Sequence, residues 1–194
     1  MNKAREIFEG MAPLLAPLLE EVVGRRDLCI LAARVAIDTA AYFGVEALPV
    51  PVKVILYNEA FARHVDNEFA GVDRTRVDTW GDGSWSVGIG CGAPCRDNKW
   101  DGHLIVMADG YFGDFSIRQA ERLQHNIVTG TAVVGPWNGG PTWKAVQVES
   151  GTVVEYHRIC DDVWRSSPDW KDAARRRPLV GGLIRALRAM EVCQ

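Results

Sequence analysis

The dipeptide Asp109-Gly110 constrains this chain more than any other feature, because it stands between the runs His103-Leu-Ile-Val-Met-Ala108 and Tyr111-Phe-Gly-Asp-Phe115. Two residues that tolerate positive φ, set between two strand-forming runs, specify a tight hairpin, and the loop length then dictates register. With Asp109 and Gly110 as the loop, Ala108 opposes Tyr111, Ile105 opposes Asp114 and His103 opposes Ser116. The strand period of two then puts His103, Ile105 and Asp114 on one face, with Asp114 diagonal to His103. Diagonal partners lie about 7–8 Å apart, so an imidazole and a carboxylate that reach toward each other share a hydrogen bond. Asp is depleted from strand interiors, and a carboxylate buried there needs a partner, which His103 supplies.

Upstream, Leu28 to Phe43 is almost continuously apolar, and its exceptions Arg34, Asp38 and Tyr42 recur at every fourth position. This pattern predicts a buried helix with one narrow polar stripe, closed by Gly44. Asp27 is the expected N-cap, which places Cys29 in the first turn, where unpaired N–H groups and the positive end of the helix dipole favour a thiolate. Val50, Val52, Val54 and Leu56 then alternate with other residues in a strand leading to Asn58. A helix followed by a strand brings the thiol beside the sheet that carries His103.

The flanking regions are read more coarsely. Residues 1–24 carry Ile7, Phe8, Met11, Leu15 and Leu19 at helical spacing, one or two helices that Pro13 and Pro17 bend or divide and that end at Gly24. Residues 59–102 form a Gly- and Trp-rich insertion with a helix from about Phe61 and a strand from Trp85 to Ile89, in which Trp85 and Trp100 are the expected substrate contacts. Thr131 to Val134, Trp143 to Glu149 and Thr152 to Ile159 extend an antiparallel sheet, the last two joined at Ser150-Gly151. Residues 170–194 read as a terminal helix interrupted at Pro178 and Gly181-Gly182, with its arginines on a solvated face. His157, Cys160 and Asp161 make a second polar cluster, too close along the chain to form a triad unaided.

Composition excludes several classes. With 194 residues, 47% of them apolar and 24% charged, one sizeable domain is expected. A net charge of −3 offers no global attraction to nucleic acid or an anionic membrane surface. No apolar run approaches the ~20 residues that span a bilayer, and the basic and apolar regions of a secretory signal are missing, so a cytoplasmic protein is expected. Five irregularly spaced cysteines argue for reduced thiols rather than a disulfide framework. Cys91, Cys95 and His103 lack a clear fourth ligand, and no Gly-rich loop cradles phosphates, so neither a metal nor another cofactor is expected. Oligomeric state is not encoded in any of these features.

The segments Asp27-Leu-Cys-Ile-Leu-Ala-Ala-Arg34, Gly44 to Ile55, Trp100-Asp-Gly-His-Leu-Ile-Val-Met107 and Phe112-Gly-Asp-Phe-Ser116 resemble, in their order, the transglutaminase-like, papain-related cysteine superfamily. The resemblance covers about residues 25–119 and implies an α+β fold, with N-terminal helices and a buried Cys-bearing helix packed on a mainly antiparallel sheet. It implies Cys29 as nucleophile, His103 as general base and then acid, and Asp114 as the residue that orients it. Trp100 would shield that pair from water, and the backbone N–H of Cys29 would serve as one oxyanion donor. The implied chemistry is attack on a peptide or isopeptide amide, a thioester on Cys29, and passage of the acyl group to water, as in a cysteine protease, or to an amine. Arylamine N-acetyltransferase-like transfer uses a similar residue set. The chain departs from the family pattern in having Arg25 and Arg26 where relatives place a side-chain donor, and in lacking a Gly-x-Cys lead-in. The reading from a different class is an inactive scaffold that binds a protein through the Trp80 to Trp100 rim and the C-terminal helix.

Overall fold

The computed structural model describes residues 2–24, 28–67, 78–79, 83–91, 100–138, 140, 142–148 and 151–190. Two short helices open the chain, α1 (Lys3–Met11) and α2 (Leu15–Val23). Asn2 caps the first by accepting from the Arg5 N–H at 3.0 Å, and Gly24 ends the second at φ 68°. The break between them falls at Pro13, which has no N–H to continue a helical ladder.

Helix α3 (Cys29–Tyr42) follows the apolar run as expected, and its N-cap is Leu28, which makes no side-chain cap hydrogen bond. The predicted cap, Asp27, lies outside the described residues. Next come β1 (Leu48–Asn58), α4 (Glu59–Asn67), β2 (Asp78–Thr79), β3 (Trp85–Ile89), β4 (His103–Ala108) and β5 (Tyr111–Asp114). Two 3₁₀ turns, Ile117–Ala120 and Leu123–His125, lead to β6 (Val133–Pro136), β7 (Trp143–Gln147), β8 (Thr152–Arg158), α5 (Pro168–Lys171) and α6 (Ala173–Ala189).

The architecture is α+β, with all eight strands in one antiparallel, nearly closed sheet. Strand β1 is its spine: β4 pairs with Leu48–Val52 and β3 with Val54–Tyr57 along one edge, while β8 pairs with Val52–Asn58 along the other. The hairpin register follows the turn chemistry, since Ala108 opposes Tyr111 and Val106 opposes Gly113. Asp109 and Gly110 have φ of 46° and 76°, the double positive φ that a type I′ turn demands.

Alternation along β4 divides the interior in two. Leu104, Val106 and Ala108 face the helices, where they join Ile7, Phe8 and Leu31 in one core. Ile105 points the other way, into a second core enclosed by the curved sheet, with Val52, Val54, Phe112 and Tyr156. Each such side chain contributes about 1.5–3 kcal/mol on burial, so a one-residue slip of β4 would exchange the two cores at large cost.

The C-terminal region corrects one expectation and divides another. Helix α6 runs unbroken through Pro178 and Gly181-Gly182, because Leu179, Leu183 and Leu187 are buried against the first core and packing overrides local propensity. Its arginines divide: Arg177, Arg185 and Arg188 are exposed, the last lying 5.1 Å over the Tyr42 ring, whereas Arg176 is buried and pairs with Asp38 at 3.1 Å. With the Arg34–Asp38 pair at 2.9 Å, the polar stripe of α3 is thus the seam on which α5 and α6 dock. Among the described residues, no helix is long and apolar enough to cross a membrane.

Candidate active site

Strand parity sends His103 inward with Ile105, and the tight hairpin brings Asp114 back onto the same face. Both side chains are fully buried, with Asp114 Oδ1 2.8 Å from His103 Nε2. The contact has ion-pair distance but lies off the line of the ring N–H, so charge contributes more to it than hydrogen-bond alignment does. Asp114 is otherwise fully held. Its Oδ1 accepts the Ser116 backbone N–H at 3.0 Å, and its Oδ2 accepts the Tyr156 hydroxyl at 3.1 Å. Burial, and then the neighbouring Asp114 carboxylate, push the Tyr156 hydroxyl well above its ordinary pKa, so it remains a donor.

Cys29 is the first residue of α3, 8% exposed, and approaches this pair around the start of β4 rather than across the sheet. Its thiol points to the Gly102 carbonyl at 4.0 Å. Among the described residues no side chain caps the helix start, where first-turn N–H groups lie beside the sulfur. For His103, burial is the largest influence and lowers the pKa, but the Asp114 charge, its hydrogen bonding and the adjoining Cys29 outweigh it, so the imidazole is raised from 6.5 to about 10. The imidazolium is therefore the favoured form near neutral pH.

Gln119 also reaches the imidazole. It sits in the 3₁₀ turn Ile117–Ala120, and its Nε2 meets His103 Nδ1, the nitrogen that Asp114 leaves free. Sequence reasoning missed both Gln119 and Tyr156. For Tyr156 a signal existed, since alternation along β8 places it beside Val154 on the buried face, and a buried phenol needs a partner. For Gln119 there was none, because a 3₁₀ turn carries no period that assigns a face.

The two tryptophans expected at a binding rim part company. Trp100 is at the site: its ring lies so close to Gly102 that a Cβ there would stand 2.5 Å away. Its indole N–H is buried and has no hydrogen-bond partner among the described residues. Trp85 is not at the site. Its backbone N–H donates to the Asn58 side-chain oxygen at 3.2 Å, whereas His103 pairs with Val52 six residues back along β1, roughly 20 Å away at strand rise.

The remaining polar groups have other partners. Cys91 lies against the carbonyls of Val54 and Ile89, and Cys95 is outside the described residues. Among the described residues, no three His, Cys, Asp or Glu side chains gather as a metal site. His157 pairs with Glu155 at 3.0 Å rather than with Cys160 or Asp161. Comparisons with protein-family models, with curated proteins and with solved structures find no match, which leaves this geometry to carry the functional reading.

Proposed function

We propose that this chain is a cysteine-dependent amide hydrolase or acyl transferase of transglutaminase-like, papain-related architecture, acting on a peptide or protein amide through a thioester on Cys29. The observation that supports this most is the buried His103–Asp114 pair with a thiol at a helix start beside it. In this reading the neutral form of His103, a minority near neutral pH, takes the Cys29 thiol proton at Nδ1 as Sγ attacks the carbonyl carbon. Asp114 holds the charge that develops on the ring, and His103 then gives the proton to the departing amine. Water or an amine, deprotonated by the same imidazole, resolves the thioester. Trp100 limits water at Gly102, beside the sulfur.

The test is selective alkylation. Iodoacetamide at about pH 6 labels Cys29 ahead of the other four thiols, and His103→Ala removes the preference by a factor of about 100. One observation favours the alternative, a binding module that has kept the scaffold: His103 is wholly covered and Cys29 nearly so. Slow, uniform labelling of all five thiols would decide for that alternative.

A further inference from the structure

The Asp114–Ser116–Gln119 stretch acts as one mounted unit. The Ser116 backbone N–H is tied to Asp114 Oδ1 at 3.0 Å, and the Gln119 N–H to the Ser116 carbonyl at 3.0 Å, so the same hairpin exit that aims the carboxylate at Nε2 aims the carboxamide at Nδ1. Because Asp114 occupies Nε2, Nδ1 is the nitrogen that would take the Cys29 proton. Gln119 is therefore stationed at the reacting corner of the ring rather than behind it. A carboxamide NH₂ only donates, so its partner on the ring is a lone pair, and a lone pair on Nδ1 exists only in the neutral tautomer that carries its proton on Nε2.

The neutral imidazole is the minor form near neutral pH, and it is the form that acts as the base. We propose that Gln119 is a further catalytic residue: its carboxamide N–H holds the Nδ1 lone pair of that neutral imidazole, and is released to the acyl oxygen when Nδ1 takes the thiol proton. The proposal rests on Cys29 as nucleophile. As the Sγ–C bond forms, the carbonyl π pair moves onto oxygen and the thiol proton moves to Nδ1. The step that creates the oxyanion is thus the step that deprives the Gln119 N–H of its acceptor. That donor turns to the oxyanion beside the first-turn N–H groups of α3. When the tetrahedral intermediate collapses, the C=O bond re-forms, the C–N bond breaks and the amine nitrogen takes the Nδ1 proton. The lone pair is then restored and Gln119 returns to it.

Two small probes separate this from a structural role. p-Nitrophenyl acetate acylates a thiol through an oxyanion, whereas iodoacetamide alkylates the same thiol without one. For Gln119→Ala, and for Gln119→Glu, which keeps the shape and loses the donor, the ratio of Cys29 acylation to alkylation rates should fall about 100-fold relative to the unsubstituted chain. Should either variant fold poorly by thermal melting, the other carries the result. An unchanged ratio, even with both rates lowered together, would overturn the role for Gln119 while leaving Cys29 as nucleophile. A Cys29 that reacts with neither probe in the unsubstituted chain would instead remove the nucleophile reading itself, and this proposal with it.

Discussion

Two histidine–carboxylate pairs lie on this sheet at nearly equal separation, and only one has the surroundings of a reactive centre. His103 and Asp114 are 2.8 Å apart and wholly buried; His157 and Glu155 are 3.0 Å apart, with 39% and 11% of their side chains exposed. In the second pair the largely buried carboxylate is shared with the Tyr57 hydroxyl, while the partly exposed imidazole stacks on Trp143. The buried pair faces a thiol and a carboxamide, and its carboxylate is held by a second strand through Tyr156 and by the backbone of Ser116. A contact distance says little about chemistry. Exclusion of water and the identity of the third and fourth groups set what the pair can do.

The largest expected break in this comparison comes from Asp114→Asn. Removing one charge of a fully buried pair strands the other, and the expected loss is on the order of 3–5 kcal/mol of unfolding free energy near neutral pH, read by denaturant titration. The sign of its pH dependence follows from His103. Since the folded value of about 10 lies above the ordinary 6.5, the stabilisation is complete below 6.5 and disappears as pH rises through about 10. The gap between Asp114→Asn and the unsubstituted chain should therefore close over that interval; a gap that stays constant would refute the charged pair.

Tyr156→Phe comes next. It removes one donor from a buried carboxylate at 3.1 Å and should cost about 2 kcal/mol. It should also slow Cys29 alkylation severalfold, because Asp114 then loses one of the anchors that hold it on His103. Stability lost with no change in alkylation would confine Tyr156 to the core. The smallest effect belongs to His157→Ala, where an ion pair whose histidine reaches solvent, and whose carboxylate keeps the Tyr57 hydroxyl, is worth about 1 kcal/mol or less. That variant should leave Cys29 alkylation as it was, and a slowed thiol would erase the distinction between the two pairs.

The same contrast separates what was legible in the sequence from what was not. Helix α3 could be read because its apolar run and four-residue polar spacing are local, and the Asp109-Gly110 turn is enough to count Asp114 onto the face of His103. Contacts made by distant segments could not be read that way. Tyr156 reaches Asp114 only because β8 lies beside β1, and Trp85 misses the site because β3 pairs with the far end of that strand. Arg176 had the composition of a surface residue, yet Asp38 draws it into a seam between helices from opposite ends of the chain. Gln119 had no regular element to give it a direction.

The central claim, that Cys29 and Asp114 jointly govern His103, is tested most directly by following the His103 imidazole in an NMR pH titration of the unsubstituted chain and of Cys29→Ala. The expected result is a His103 pKa near 10 that falls when the sulfur is removed, since the thiol is one of the groups that raise it. A His103 that titrates near 6.5 in both proteins would contradict the account.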